Sequence, residues 1–177
     1  MDNIISRNFH AKQTYEKLRT DITEFVLSDG KFYLSAMIDY FDEMVMEWTI
    51  GSRPNVDLVN TMLVEVIANL PDGCYPTVHS DRGCHYRWLE RLERMKEAGL
   101  TRSMSKKGYS PDNAACEGFL GRLKNEIFYG RSWIGRSLDD FAYERDDYIN
   151  WYNCKRIKLS LGELSPLEYR QHLGFVA

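Results

Sequence analysis

Residues 18–25 place β-branched and aromatic side chains (Thr20, Ile22, Thr23, Phe25) in a run that ends at Ser28-Asp29-Gly30, which predicts a short strand and a hairpin turn. Residues 32–38 and 44–50 repeat the pattern around a turn at 40–42, so an antiparallel meander of three strands is expected first. Pro54 then starts a helix: Val56, Val59, Met62, Leu63, Val66, Ile67 and Leu70 recur at i, i+3, i+4 and i+7, and Pro71-Asp72-Gly73 stops it. Residues 75–79 read as a fourth strand. Because a strand-helix-strand crossover favours parallel pairing, its expected place is beside the first.

Gly83 opens a second helix in this reading, with Tyr86, Leu89, Leu92 and Met95 inward and Gly99 at its C-terminal end. Residues 100–104 form a fifth short strand, and Ser105-Lys106-Lys107-Gly108-Tyr109-Ser110-Pro111 a loop. The helix that follows has two characters: Cys116, Phe119, Leu120, Leu123 and Ile127 make an apolar face, while Asn113, Glu117, Gly121 and Lys124 gather on another. Ser137, with Asp139 and Asp140 behind it, caps a further helix whose stripe includes Phe141, Arg145, Tyr148, Ile149 and Tyr152. Ser165-Pro166 caps a last short helix ending near His172. Residues 1–16 show no clean period and read as an arm or linker; residues 17–177 read as one domain with a helical tail. The order β-β-β-α-β-α-β-α-α describes an α/β protein, a five-stranded mixed sheet flanked by helices.

Length and composition narrow this little further. A chain of 177 residues with 44% hydrophobic content supports one sizeable core. No apolar run approaches the roughly 20 residues of a membrane span, and the start lacks the layout of a signal peptide, so a cytoplasmic protein without membrane partners is expected. Cys74, Cys84, Cys116 and Cys154 are too widely spaced for paired zinc ligands and read as reduced thiols; a site built on Cys84 and Cys116 ranks low because Cys116 falls on an apolar face. Charge is more informative. Residues 1–81 carry 6 Lys/Arg against 13 Asp/Glu, residues 82–136 carry 12 against 6, and residues 137–177 carry 5 against 7. The middle third is a candidate surface for a polyanion, although ordinary surface charge gives the same count.

Three carboxylates carry the candidate chemistry. Asp21 sits inside the first strand, where an acid is disfavoured unless it has a purpose. Asp81 follows directly on the fourth strand in His79-Ser80-Asp81-Arg82-Gly83, at the kind of strand end where open α/β sheets bind ligands. Glu117 lies on the chemical face of its helix, two turns and roughly 10 Å of rise from Lys124. Singly, each has an ordinary reading: a bulge cap, a helix N-cap, a solvated face. Together they do not, because two carboxylates about 4 Å apart repel by ~4 kcal/mol at an effective dielectric near 20, and a third worsens it. All-oxygen ligands call for a hard divalent ion, Mg²⁺ or Mn²⁺.

These residues resemble the catalytic core of the DDE transposases of the IS-three insertion-sequence family, relatives of retroviral integrase with a ribonuclease H-like fold. Thr20-Asp21-Ile22-Thr23-Glu24-Phe25 is similar to the family's first acidic motif, and His79-Ser80-Asp81-Arg82-Gly83 with Tyr86 to its second. Ser103-Met104-Ser105 to Gly108, then Asp112-Asn113-Ala114 and Glu117, resemble the third, with Lys124 at the basic position seven residues on. Tyr152-Asn153, Arg156, Leu161 and Ser165-Pro166-Leu167-Glu168-Tyr169 resemble the tail. Leu18 stands where a tryptophan is usual and Lys158 where a histidine is, departures that touch fine positioning and not the ligands. The resemblance implies two Mg²⁺ (or Mn²⁺) ions held by Asp21, Asp81 and Glu117, cleavage at a DNA 3′ end and then strand transfer. It also implies transposon-end and target DNA as partners, and a homo-oligomer, at least a dimer, in the synaptic complex. DNA contacts are expected from Lys124, Asn113, Lys106, Lys107 and Arg122. Two competing expectations are a ribonuclease H-type nuclease that cuts without joining, and a catalytically silent regulatory remnant of a transposase.

Overall fold

The computed structural model describes residues 4–5, 8–28, 30–105 and 114–175, with side chains from residue 118 onward in the last of these segments. Its centre is a five-stranded sheet in the order β3-β2-β1-β4-β5. The strands are β1 (Lys17–Leu27), β2 (Gly30–Asp39), β3 (Val45–Gly51), β4 (Thr77–Ser80) and β5 (Thr101–Met104). β1, β2 and β3 pair antiparallel, while β4 joins β1, and β5 joins β4, in parallel. The expected meander and the parallel return beside the first strand are both present; Asp29 of the expected hairpin turn lies outside the described residues.

Alternation along the strands sorts side chains into two cores. Leu18 and Met37 turn towards α1 (Val56–Asn69) and α2 (Leu89–Glu97), packing with Met62, Leu63, Val66, Val78 and Met95. On the opposite face Phe25, Leu34, Ala36 and Ile38 meet α3 (Ala114–Leu123) and α4 (Leu138–Cys154) through Phe119, Leu120, Leu123, Phe141, Ile149 and Tyr152. Of the predicted stripes, Phe119, Leu120, Leu123 and Ile127 on the first of these helices and Phe141, Arg145, Tyr148, Ile149 and Tyr152 on the second are buried; the Cys116 side chain lies outside the described ones. α4 starts at a reciprocal cap between Ser137 and Asp140, and α5 (Pro166–His172) at one between Ser165 and Glu168. α3 passes into a wider π turn, Lys124–Phe128, closed by the Tyr129 amide donating to the Lys124 carbonyl at 2.8 Å.

The second helix departs from expectation. Gly83 opens only a 3₁₀ turn, Cys84–Tyr86; Trp88 is extended, and α2 begins at Leu89. Leu89, expected inside, is 70% exposed, and Arg91 is buried in its stead. The reason is a partner 32 residues away: the Arg91 guanidinium donates to the Val59 carbonyl at 2.8 Å and lies 5.2 Å over the Tyr86 ring.

Two further contacts tie the ends of the chain to the sheet. Buried Arg170 of α5 donates to Asp39 at 2.9 Å and to Asp42 at 2.5 Å, both carboxylates being buried in the β2–β3 turn. Near the N-terminus, Ile5 is buried with its amide donating to Ser103 Oγ at 3.2 Å, and Phe9 stacks on Tyr40 at 5.7 Å. Among the described residues no helix is long and apolar enough to cross a membrane.

Candidate active site

The pairing of β1 with β4 decides where the first two carboxylates go. Arg19 stands opposite His79 and Thr20 opposite Ser80, so one step further along the same parallel register Asp21 stands opposite Asp81. Strands lie about 4.8 Å apart, and residues opposite one another point to the same face. Asp21 is also opposite Ala36, which belongs to the core beneath α3 and α4; the pair therefore projects on the side of the sheet that carries α3, the helix of Glu117.

Local backbone groups aim both acids. The Ile22 amide donates to Asp21 Oδ1 at 2.8 Å, and the Gly83 amide donates to Asp81 Oδ1 at 2.8 Å. Gly83 is small for a reason visible in the geometry: a Cβ there would lie 2.9 Å from Asp81 Oδ1. Asp21, Glu24, Tyr33, Asp81, His85 and Tyr86 line one open cleft of about 250 Å³. Glu24 accepts from the Tyr33 hydroxyl at 2.8 Å, and that bond first, then Lys31, holds its carboxyl below the usual range. Tyr86 is buried behind the cleft. Burial, followed by the charge of Asp21 and more weakly of Asp81, holds its phenol well above its ordinary value, so it is neutral and both carboxylates act on it.

The sequence-predicted residues are thus partly united. Asp21 and Asp81 line the same cleft; Glu117 lies in the first turns of α3, but its side chain is outside the described ones. Asn113, Lys106 and Lys107 lie outside the described residues. Lys124 places its ammonium 5.5 Å over the Phe25 ring and within electrostatic reach of Glu24, a cleft residue. Arg122 is engaged within the chain, 3.1 Å from Glu43 and 3.4 Å from the Tyr152 hydroxyl. Sequence reasoning missed the Glu24–Tyr33 pair, whose signal was that both residues fall near the hairpin end of adjacent antiparallel strands.

Two carboxylates separated by the strand spacing of about 5 Å would repel by ~3 kcal/mol at an effective dielectric near 20. Oxygen donors of that charge suit a hard divalent cation, so the donor set fits Mg²⁺ or Mn²⁺. Among the described residues no group of three His, Cys, Asp or Glu side chains forms a complete metal site. Cys84 lies 3.7 Å from a ring nitrogen of His85, and two such donors do not make a zinc site.

An integrase core domain model matches residues 11–110, and a second model of the same description matches residues 117–173. The chain is 51% identical over 99% of its length to a probable transposase for insertion sequence element IS1353 of Shigella flexneri, covering 34% of that protein. It is 38% identical over 95% of its length to the putative transposase InsK for insertion sequence element IS150 of Escherichia coli K12, covering 59% of it. The chain therefore spans about a third to three-fifths of these relatives. Its fold is similar to the HTLV-2 integrase catalytic core domain, solved in complex with magnesium in a trimeric form, with a TM-score of 0.66, 14% identity, 87% of this chain and 95% of that one covered.

Proposed function

Because the chain belongs to the integrase core domain family, as the core of an IS3-family DDE transposase, we propose that it carries out divalent-metal-dependent cleavage at a DNA 3′ end followed by strand transfer. Asp21, Asp81 and Glu117 are the catalytic ligands in this reading, and two cations of the Mg²⁺ or Mn²⁺ class are held among them. The observation that carries it is the β1–β4 register, which sets Asp21 beside Asp81 on the α3 side of the sheet. Bound there, such ions supply Lewis-acid stabilisation of the attacking and leaving oxygens of an in-line displacement.

The chain's own groups prepare that reaction. The Ile22 and Gly83 amides fix one oxygen of each aspartate, so the ligands are oriented by sheet backbone before substrate arrives. Water attacks a phosphodiester, the P–O bond to the 3′ oxygen breaks, and that oxygen leaves as a hydroxyl. The hydroxyl then attacks a second phosphodiester, and positioning supplies most of the rate enhancement. Lys124 beside the cleft contacts the DNA end, with Asn113, Lys106 and Lys107 as further contacts; Arg122 does so only if it exchanges Glu43 for phosphate. Residues 17–177 form the core and residues 1–16 an arm. The working form is a homo-oligomer, at least a dimer, a reading supported by the trimeric form of the HTLV-2 core.

The test is a strand-transfer assay on duplexes carrying the element's terminal sequences, with Mg²⁺ or Mn²⁺. Joined products from the wild-type chain and none from Asp81→Asn are expected. Cleavage without joining favours the nuclease reading, and an Asp81→Asn protein as active as wild type overturns the site.

A further inference from the structure

Beyond the cleft, the end of the β4–β5 pair carries a group of arginines that no carboxylate answers among the described residues. Arg102 lies on β5, and its guanidinium reaches along the strand to Met104, donating to the thioether sulfur at 2.8 Å. Arg102 and Met104 are the register partners of Val78 and Ser80, so the Arg102 charge runs along the α2 face of the sheet, the face opposite to the Asp21–Asp81 pair, up to the strand end at which Asp81 leaves the sheet. A thioether is a weak acceptor for so strong a donor. Burial, and next the charge of Arg87, pull the Arg102 guanidinium below its ordinary value, which places a second cation close by. Arg82 turns its Nε–H onto the Ser105 carbonyl at 2.7 Å, at the same strand end. Among the described residues, none of Arg82, Arg87 and Arg102 forms an ion pair. Arg82 and Arg87 are exposed, as is the Trp88 indole that follows them, set edge-on to His85 of the cleft at 5.7 Å.

We propose that Arg82, Arg87 and Arg102, with Trp88 beside them, form a phosphate-backbone track for DNA that continues from the Asp21–Asp81 cleft around the β4–β5 end. This rests on the proposed action on DNA and names where the strand runs once it leaves the carboxylates. Guanidiniums gathered without a counter-charge are relieved by an anion, and several of them at one strand end suit a polyanion. The neighbouring indole offers a stacking face that a sugar or unpaired base can use without sequence preference.

The experiment measures binding of the full chain to a fluorescent duplex by anisotropy, in EDTA, across a range of salt, so that catalysis plays no part. Arg87→Glu is the main variant: it is exposed, leaves the fold alone and offers Arg102 an internal partner. Each lost phosphate contact lowers the slope of log K against log salt by about 0.9, or about eightfold in affinity at 0.1 M salt relative to 1 M. Arg87→Glu should lose that or more, Arg87→Lys should keep most of it, and Arg87→Ala with Arg102→Ala should lower the slope by about 1.8. Arg94→Ala with Lys96→Ala, which removes two charges from α2 away from the strand end, should leave both readouts unchanged. Equal losses in that control, or a wild-type slope in Arg87→Glu, overturn the track while the DNA reading stands. A wild-type chain with no salt-dependent binding overturns both.

Discussion

Gly83→Ala isolates the aim of one carboxylate from the stability of the fold. Gly83 has φ −50° and ψ 142°, a conformation open to any residue, so alanine introduces no backbone strain. Its methyl carbon, however, would sit 2.9 Å from Asp81 Oδ1, where ordinary contact begins at 3.4 Å. The oxygen must give way by about half an ångström and weaken its bond from the Gly83 amide; that bond is worth ~1 kcal/mol, which the reduced freedom of an unfolded chain bearing alanine offsets by 0.4–1 kcal/mol. Net stability should therefore change by less than about 1 kcal/mol. Activity should not be spared: if a misplacement of 1 Å costs about a hundredfold, half of that costs about tenfold, ~1.4 kcal/mol of barrier. The assay is the initial rate of strand transfer beside a melting curve, with Gly130→Ala, whose added methyl meets nothing within 4 Å, as control. A full rate in Gly83→Ala refutes the claim that this amide and this carboxylate are set together for chemistry. A lost rate with a melting point several degrees lower refutes it too, because the defect is then one of folding.

Asp81→Asn should abolish strand transfer yet raise the melting temperature in chelator, since it removes about 3 kcal/mol of repulsion with Asp21 and its Oδ1 can still accept the Gly83 amide; a lower melting point in chelator contradicts the crowding of the two acids. Arg170→Met leaves Asp39 and Asp42 buried without their cation and should cost about 3–5 kcal/mol in urea unfolding. Asp39 is pushed up to about 6 from its ordinary 3.8 by burial and then by Asp42, so the folded state favours its protonated form. Its contribution to stability is complete below pH 4 and is lost as pH rises through 6; the stability of wild type relative to Asp39→Asn should fall over that window by ~3 kcal/mol, and a flat difference in urea melts at pH 4.5, 5.5 and 7 refutes it. Ser137→Ala removes the cap of α4 and should cost ~1 kcal/mol, read as a melting-temperature shift with activity intact.

What the sequence made legible was whatever period and punctuation encode. The β1–β3 meander showed in its branched and aromatic runs, α1 in its i, i+3, i+4 pattern between Pro54 and Pro71, α4 in Ser137 followed by two aspartates, and the parallel return of β4 in the crossover rule. What stayed hidden depends on partners distant along the chain. Arg91 occupies an inward position of α2 because the Val59 carbonyl and the Tyr86 ring receive it, and a reading that counts arginine as surface puts Leu89 there instead. Arg170 is fully buried for the same kind of reason, with its partners 128 and 131 residues away. The π turn at Lys124–Phe128 has no compositional mark, and it allows Ile127 to stay buried while Phe128 packs against Phe25 at 5.0 Å.

The candidate site was legible for a different reason: two of its members are fixed by a register and not by a conformation. A one-residue slip of β4 against β1 would send Asp81 to the opposite face from Asp21, and such a slip would also carry Val78 out of the core it shares with Leu18, Met62 and Met95. The free energy that holds the core together therefore also holds the two acids together, against a repulsion of ~3 kcal/mol that burial of one or two large apolar side chains outweighs. The third acid, Glu117, has no strand to hold it; its helix is docked through Phe119, Leu120, Leu123 and Ile127 on the side to which Asp21 projects. In the proposed site two carboxylates are therefore permanent features of the sheet and the third would be brought by helix packing, so completing the site would depend on the docking of α3 while the paired charge of Asp21 and Asp81 would not.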